Sequence, residues 1–401
     1  MYWPVCRCRA TLKRVGLAAL AAGAGFAGQP SAGDSPVSAC RKVVVTDATS
    51  GRTLRGIEDI AVDAAANIAY LSADDRWAVE EGAAHFEGVL PQGGIHMLPL
   101  DDASLSADRI EVADLTTQFK TEHALHPHGI DLVSDAEGRK VLYVINRRYE
   151  RLKSERGSGG GGGGQWEIVP TVEVFDVGES GALHHRRTVR DRAFCRANGI
   201  AGLGRARFLV SNDGIACGRW GRRLEQTLGL KKGNVVLAEL DDATGSSAVT
   251  RVAEGIGFAN GLAVDAEHVY VAATRDQALL VYRIDGFSNT SALKGPEHII
   301  AVDGGPDNLS WGREHALLVA VHPSLLRLAA YRYQWMSLVD TAPTRIIGVD
   351  VRDGSQRTLY ASDAGEPLSA ATIAVAHGNV LIAGSVTDEG LMLCHLNKSG
   401  G

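Results

Sequence analysis

Residues 260–272 of this chain have the sequence NGLAVDAEHVYVA. The stretch begins with a polar pair, continues as alternating apolar residues, passes through a short turn and ends in a second apolar run. Six similar stretches recur, at residues 58–72, 128–145, 198–211, 260–272, 307–320 and 371–383. A repeat of strand pairs with a period of tens of residues is typical of a β-propeller. The sequence therefore predicts an all-β fold, a six-bladed β-propeller.

Further strand pairs lie between the repeats and complete the predicted blades. Residues 94–98 with 109–112, and 171–175 with 187–189, alternate apolar and polar residues around turn signals. Two strands within a repeat and two outside it make a four-stranded blade, so residues 40–398 are predicted to form one ring. Residues 152–165 contain six consecutive glycines and are expected to be a flexible insertion. A short helix is possible at residues 219–230.

Aligning the six repeats on their first apolar residue places one polar position in a common register. The aligned residues are Glu58, His128, Asn198, Asn260, Asp307 and Ala371. Equivalent positions of the innermost strands converge on the axis of a propeller. Five of these six side chains carry oxygen or nitrogen donors, so the axis is predicted to be a polar site.

The oxygen donors of this register suit a calcium ion. They are Glu58, Asn198, Asn260 and Asp307, together with the adjacent Asn308. Ca²⁺ accepts six to eight oxygen ligands with loose geometry, whereas Zn²⁺ prefers histidine and cysteine. Taken alone, an Asn-Gly pair is typical of a turn, and a lone Asp is typical of a local cap. Burying them together without a cation would be costly, which favours a metal site.

Calcium at such a site predicts ester or lactone hydrolysis. A cation with an open coordination position can polarise a carbonyl group and stabilise the oxyanion that forms when water attacks. His128 shares the register and is the candidate general base, although a hydrogen-bonded turn residue is the alternative. His322, which precedes Pro323, is a second residue expected to line the site.

The composition and the N-terminal sequence limit which class of protein this can be. The 401 residues are 45% hydrophobic and 22% charged, with a formal net charge of −6 and no basic face suited to nucleic acid. Four basic residues, Arg7, Arg9, Lys13 and Arg14, precede an apolar stretch at residues 15–28. Residues 1–33 are therefore predicted to be a signal peptide or membrane-proximal leader. We expect an exported protein, periplasmic or secreted, with membrane association only through an uncleaved leader; a disordered leader is the alternative.

Cysteine positions agree with export. Cys40 precedes the first predicted strands and Cys394 follows the last repeat, where a ring has to be fastened, so a disulfide between them is chemically permissible. Cys195 and Cys217 flank the third repeat. These two either pair with each other or remain buried thiols.

Several segments resemble the paraoxonase/arylesterase family in order and approximate spacing. They are residues 126–130, 171–175, 257–261, 307–310, 321–323 and 393–394. The resemblance implies a six-bladed calcium propeller that hydrolyses lactones and aryl esters. It also implies catalytic-calcium ligands at Glu58, Asn198, Asn260, Asp307 and Asn308, a base at His128, a disulfide between Cys40 and Cys394, and a substrate site lined by Phe258 and His322.

Two positions depart from the family pattern. Arg147 stands where a second catalytic histidine is expected, so His128 would need another orienting partner. A second calcium would use Asp59 and the Ile130 carbonyl, but Gly199 stands where another Asp belongs. The sequence therefore predicts one calcium ion rather than two.

Two other functions remain open at this stage. One is a sugar lactonase of the gluconolactonase kind, in which a carboxylate acts as the base. The other is a non-catalytic propeller that binds calcium and serves as a scaffold, because a fold does not dictate a function. In the catalytic cases the partner is a small lactone or ester.

Overall fold

The computed structural model describes residues 36–85, 88–151, 166–287, 295–313, 315–334 and 339–397. The predicted leader at residues 1–33 and the predicted insertion at residues 152–165 lie outside the described residues. Within the described residues, no helix has the length and apolar character needed to span a membrane.

The described residues form 26 β-strands and five α-helices. The strands are β1 Val37–Asp47, β2 Ile57–Asp63, β3 Ile68–Ala73, β4 Gly94–Pro99, β5 Arg109–Asp114, β6 Pro127–Ser134, β7 Lys140–Asn146, β8 Tyr149–Arg151, β9 Trp166–Ile168, β10 Thr171–Val177, β11 Leu183–Val189, β12 Ala197–Gly202, β13 Arg207–Asn212, β14 Gly233–Leu240, β15 Ser247–Ile256, β16 Ala259–Val264, β17 His268–Ala273, β18 Ala278–Arg283, β19 His298–Ala301, β20 Gly305–Trp311, β21 Ala316–His322, β22 Thr344–Asp350, β23 Gln356–Ser362, β24 Ala371–His377, β25 Val380–Ser385 and β26 Leu391–Leu396. The helices are α1 Arg76–Ala84, α2 Asp102–Ser106, α3 Phe119–Glu122, α4 Arg219–Leu228 and α5 Leu325–Arg332.

Most strands belong to four-stranded antiparallel sheets. Four such sheets stand apart, with the strand orders β11-β10-β7-β6, β12-β13-β14-β15, β16-β17-β18-β19 and β20-β21-β22-β23. The two strand pairs predicted between the repeats are present, because β4 pairs with β5 and β10 pairs with β11. The predicted helix near residue 219 is α4.

The remaining strands of the ring form one eight-stranded sheet, in the order β2-β3-β4-β5-β1-β26-β25-β24. It is continuous because β1 pairs antiparallel with β26 on one side and parallel with β5 on the other. An all-β propeller is therefore confirmed. Four of its sheets are separate and the sheet that contains β1 and β26 is twice as wide, so the six predicted blades are not present as six separate sheets.

The first strand of each repeat contacts the first strand of the next. The contacts run from β2 to β6, β12, β16, β20 and β24, and from β24 back to β2. Between neighbouring sheets lie fully buried side chains such as Tyr143 of β7 and Phe208 of β13, whose ring centroids are 4.8 Å apart. Burying such a side chain contributes about 1.5–3 kcal/mol, so packing between sheets holds the inner strands in a closed cycle.

Two disulfides join cysteines of the described residues. Cys40 in β1 is bonded to Cys394 in β26, which confirms the predicted link between the chain ends. Cys195 is bonded to Cys217, which resolves the open alternative in favour of a pair. The second bond ties the start of the third repeat to the segment that leads into α4.

Helix α4 was predicted from the sequence, whereas α1 and α5 were not. The N-terminus of α1 is capped by Asp75, whose carboxylate accepts a hydrogen bond from the Ala78 amide. The N-terminus of α5 is capped in the same way by Ser324, and α4 ends at Gly229 with φ 60°. Helices α1 and α5 pack together through an edge contact between Trp77 and Tyr331.

Candidate active site at the propeller axis

Each inner strand is bulged at the same point of its sheet. The register shifts lie between Ile57 and Asp59, Pro127 and Ile130, Ala197 and Ile200, Ala259 and Leu262, Pro306 and Leu309, and Ala371 and Ile373. A bulge releases a residue from the ladder and re-aims its side chain. The released residues that line one cavity of about 430 Å³ are Glu58, His128, Asn198, Asn260, Asp307 and Thr372.

The sixth axial residue is Thr372, and the predicted register position Ala371 is wrong. Ala371 remains paired with Ser385 of β25, whereas Thr372 lies in the bulge. Its hydroxyl donates to the Glu58 carbonyl at 2.8 Å and so connects the last inner strand to the first. Alignment on the first apolar residue missed this by one position, because the bulge in β24 lies between Ala371 and Ile373, one residue closer to the first apolar residue than the bulge between Ile57 and Asp59 in β2.

The Asn-Gly pairs serve close approach between neighbouring inner strands. A Cβ atom on Gly199 would lie 2.6 Å from the Asn260 carbonyl oxygen, and one on Gly261 would lie 2.5 Å from the Asn308 Cα. Neither glycine has a positive φ. The pairs are therefore not turns here, and the glycines let the axial strands pack backbone to backbone.

A second set of lining residues lies at the end of the second strand of a repeat. Each is either the last residue of that strand or the residue directly after it. The members found in the cavity wall are Arg147, Asp213, Thr274, His322 and Val386. Only His322 was singled out in advance as a lining residue. These residues share one position relative to the second strand: each comes directly after the residue that pairs with the last residue before the bulge. This shared position is a signal in the sequence that could have identified the others.

Helices supply a further part of the wall. Arg76 and Glu80 come from α1, Arg222 from α4, and Leu325 and Leu328 from α5. Phe258, which the sequence analysis expected at the substrate site, also lines the cavity and has φ 66°, a strained value for a phenylalanine. The cavity thus combines a polar floor at the axis with a partly apolar upper wall.

Glu58 is a buried carboxylate held by several donors. Burial alone would raise its pKa, but His128, Arg76 and Asn308 lower the pKa below its ordinary value. The Asn308 Nδ2 donates to Glu58 Oε1 at 2.9 Å and to the Glu58 carbonyl at 3.2 Å. Glu58 is therefore anionic at neutral pH, and its Oε2 atom lies 2.9 Å from His128 Nδ1.

His128 lies between an arginine and this carboxylate. Its Nδ1 is 2.6 Å from Arg76 Nη2 and 2.9 Å from Glu58 Oε2, while its buried Nε2 has no described partner. Burial, Arg147 and Arg76 lower its pKa to about 3 against the pull of Glu58, so the imidazole is neutral at neutral pH. The two contacts require different tautomers, because guanidinium only donates and carboxylate only accepts.

Asp307 and Asn260 lie on the opposite part of the floor. Burial and the charge of Glu58 raise the pKa of Asp307, even though His322 Nε2 contacts its Oδ2 at 2.6 Å. Asn260 Nδ2 donates to Thr274 at 3.2 Å, and Asn260 Oδ1 is buried without a described partner. Asn260 Oδ1 is thus desolvated and unsatisfied, which is costly unless a cation completes the site.

The other predicted ligands have different surroundings. Asn308 lies at a second cavity of about 420 Å³, which Asp59 and Ile130 also line. Both carboxylate oxygens of Asp59 accept backbone amides, from Ile60 and Ile130, each at 2.9 Å. Burial and Glu58 raise the pKa of Asp59 well above its ordinary value. A side chain on Gly199 would meet backbone atoms, so the strand packing itself excludes the missing carboxylate there.

A further cluster away from the axis could hold a metal ion. Asp47, His96 and Asp114 offer ligand atoms within 4.8 Å of one another. Asp114 already contacts the Lys120 ammonium and accepts hydrogen bonds from Thr116. The charge of Asp114 is therefore satisfied by protein groups.

Comparison with known proteins identifies similar chains. A family model for arylesterases matches residues 165–396. Serum paraoxonase/arylesterase 1 of Mus musculus is 26% identical over 303 residues, which is 75% of this chain and 76% of that protein. The Rattus norvegicus protein of the same name is 24% identical over 359 residues, covering 88% of this chain and 91% of that protein. The structure of regucalcin from Agrobacterium tumefaciens is 13% identical with a TM-score of 0.44, covers 88% of this chain and 95% of that chain, and has no bearing on function at that level.

Proposed function

Because this chain belongs to the paraoxonase/arylesterase family, we propose that it is an exported, calcium-dependent hydrolase of lactones and aryl esters. One observation carries the proposal: a single cavity is floored by the carboxylates of Glu58 and Asp307 and the amides of Asn198 and Asn260, beside His128. Asn260 Oδ1 of this set is buried and unsatisfied. A hard cation accepts such donors, so the set fits calcium.

The reaction adds water across an acyl–oxygen bond. When bound, calcium supplies an electrophile for the substrate carbonyl. The water oxygen bonds to the acyl carbon, the bond to the leaving oxygen breaks, and one proton of the water ends on that leaving oxygen. The apolar wall formed by Phe258, Leu325 and Leu328 binds the hydrocarbon part of the substrate and excludes water from it.

His128 is proposed as the group that accepts the proton from water. In the tautomer whose Nδ1–H faces Glu58 Oε2, at 2.9 Å, the Nε2 atom is the acceptor. Glu58 then takes the orienting role that a second histidine would otherwise have. The neutral state of the ring, which burial and the two arginines favour, keeps this acceptor available at neutral pH.

The whole-chain features support the same proposal. We count the eight-stranded sheet as two blades, β2-β3-β4-β5 and β24-β25-β26-β1, and therefore propose a six-bladed ring; the closed cycle of six inner strands supports this count. Two disulfides support export, because such bonds persist in oxidising compartments. A single calcium per chain is proposed, since Asp59 is occupied by backbone donors.

The test combines turnover with metal analysis. Lactones and aryl esters are assayed at saturating calcium for the wild type and for His128→Gln, Asn260→Ala and Asp307→Ala, and metal content is measured after dialysis. We expect about one calcium per chain in the wild type and in His128→Gln, with turnover of the latter reduced about 10²- to 10⁴-fold. Asn260→Ala and Asp307→Ala are expected to lose both metal and turnover.

Asp303→Ala is the control, because Asp303 is an exposed carboxylate paired with Arg345 outside the cavity. Near-normal turnover of Asn260→Ala and Asp307→Ala, with an inactive His128→Gln, would contradict the calcium role. Turnover of sugar lactones alone would favour the gluconolactonase alternative. Calcium binding without any turnover would favour the scaffold alternative.

A further inference from the structure

The cavity wall carries more arginines than the axial site requires. They are Arg76, Arg147, Arg196, Arg222, Arg275 and Arg332. Two of them are neutralised, since Arg196 pairs with Asp213 and Glu225, and Arg332 pairs with Glu80. Within the described ranges, the other four make no ion pair with a carboxylate.

Backbone carbonyls hold two of these guanidiniums in place. Arg147 donates through Nε and Nη2 to the Ala197 carbonyl, at 3.4 and 3.3 Å. Arg222 donates through Nη2 to the Cys195 carbonyl at 2.9 Å and through Nε to the Cys217 carbonyl at 2.7 Å. Both therefore contact the same short segment, and the disulfide between Cys195 and Cys217 joins the two acceptors of Arg222. Neutral carbonyls position the guanidiniums without cancelling their charge.

Arg76 and Arg275 complete the set. Arg76 is 6% exposed and contacts His128, yet its Nε atom is buried without a described partner. The Arg275 guanidinium lies over the Phe258 ring, 5.5 Å from the centroid, and donates to the Gln226 carbonyl at 3.3 Å. Leaving desolvated guanidinium donors without an acceptor costs free energy, so this geometry favours an anionic acceptor.

The charged residues that line the cavity carry a net positive charge. Six arginines line it against four carboxylates, those of Glu58, Glu80, Asp213 and Asp307, an excess of two positive charges. The chain as a whole carries a formal charge of −6. A positive cleft in a negative protein focuses the field and attracts anions to the site selectively.

We propose that Arg147 and Arg222, with Arg76, form an anion-binding subsite, and that the substrates are esters or lactones bearing a carboxylate or phosphate group. The inference rests on the proposed hydrolase function. Arg147 follows β7 directly and borders the axial floor, so the anionic group of the substrate lies beside the reacting carbonyl while the apolar wall holds the remainder. Arginine recognises either oxyanion through paired donors.

The first arm of the test compares two substrates that differ only in charge. They are mono-4-nitrophenyl succinate and its methyl ester. In the wild type we expect kcat/KM to be about tenfold or more higher for the anionic ester, mainly through KM, because a charge-assisted pair forms with the bound substrate. Arg147→Gln and Arg222→Gln should each reduce this preference about tenfold, and Arg147→Lys should retain part of it. Arg345→Gln, which removes an arginine outside the cavity, should leave it unchanged.

The second arm measures binding without turnover. Succinate and inorganic phosphate are titrated calorimetrically into the full chain, with calcium and with chelator. Binding that persists with chelator and is lost in Arg147→Gln supports the subsite, and the stronger of the two probes identifies the oxyanion. Binding that disappears with chelator in the wild type would overturn the subsite, because the anion would then depend on the metal.

The two arms separate failure of this inference from failure of the proposed function. Equal turnover of both esters, with no binding of either anion, overturns the subsite and leaves the hydrolase intact. Turnover of neither ester, with succinate bound through Arg147, overturns the hydrolase proposal and leaves an anion-binding site. A wild-type preference for the anionic ester that both Gln variants retain in folded form would also overturn the assignment to these arginines.

Discussion

Gly199 shows how a single residue sets the spacing of the axial strands. It follows Asn198, and its amide donates to the Ser211 hydroxyl at 2.8 Å. The same hydroxyl donates to the Asn260 carbonyl at 2.5 Å in the next inner strand. The space that a Cβ would need is filled by that carbonyl, so residue 199 determines how closely two inner strands can approach.

We expect Gly199→Ala to destabilise the fold by about 1–3 kcal/mol, the usual cost of overpacking a closely packed interior. Its methyl group would lie 2.6 Å from the Asn260 oxygen and would push Asn260 away from the axis. Chemical unfolding measures the loss. Gly295→Ala is the matched control, because a Cβ there meets nothing within 4 Å. Equal stability of the two variants would show that the inner strands can separate without cost.

Strand β10 contains a buried carboxylate that links its sheet internally. Glu173 accepts hydrogen bonds from Thr171 at 2.7 Å and Asn146 at 3.0 Å, and it contacts His185 and Thr188. Asn146 in turn accepts from the His126 amide at 2.9 Å. Burial acts to raise the pKa of Glu173, but these hydrogen bonds lower it overall. The network therefore ties β7 and β10 to the segment that precedes His128.

The depressed pKa of Glu173 predicts how stability changes with pH. A carboxylate with a lower pKa in the folded state stabilises the protein above its unfolded value, about 4.3, and this contribution is lost as the pH falls through the folded pKa. Glu173→Gln should be less stable than the wild type by about 1–3 kcal/mol at pH 7, and the difference should shrink below about pH 4. Chemical unfolding across this pH range measures both. The exposed Glu254→Gln serves as control, and a pH-independent difference would contradict the ionic role.

The ring as a whole is closed by β1 and by the disulfide from Cys40 to Cys394. This bond spans 354 residues, whereas the bond from Cys195 to Cys217 spans 22. Chain-entropy arguments make the stabilisation grow with the logarithm of the loop length, to about 6 kcal/mol for the long loop and about 3 kcal/mol for the short one.

The double variant Cys40→Ser/Cys394→Ser should therefore lose more stability than Cys195→Ser/Cys217→Ser. Chemical unfolding of both double variants and the wild type makes the comparison. The short-loop variant should instead alter the preference for anionic esters, because it loosens the carbonyls that hold Arg222. Equal destabilisation by the two double variants would mean that β1 closes the ring without help from the covalent bond.

The repeats, the ring and the polar floor could be predicted from the sequence, because each depends on local patterns. Alternation with a period of two identifies strands wherever they pair, and a repeated offset identifies equivalent positions around a ring. The residues Glu58, His128, Asn198, Asn260 and Asp307 were grouped in this way, and the structure brings them to one cavity.

Only the tertiary structure decided the remaining features, because they depend on contacts between residues distant in the chain. The position of the β24 bulge selects Thr372 instead of Ala371, and the pairing of β1 with β5 joins two sheets into one. Arg76 and Arg222 line the cavity from helices α1 and α4. The positions of these helices depend on their packing against the ring, and no local sequence pattern predicts that packing. Sequence periodicity therefore determined the scaffold and its axial donors, while ring closure and helix docking determined the charge that surrounds them.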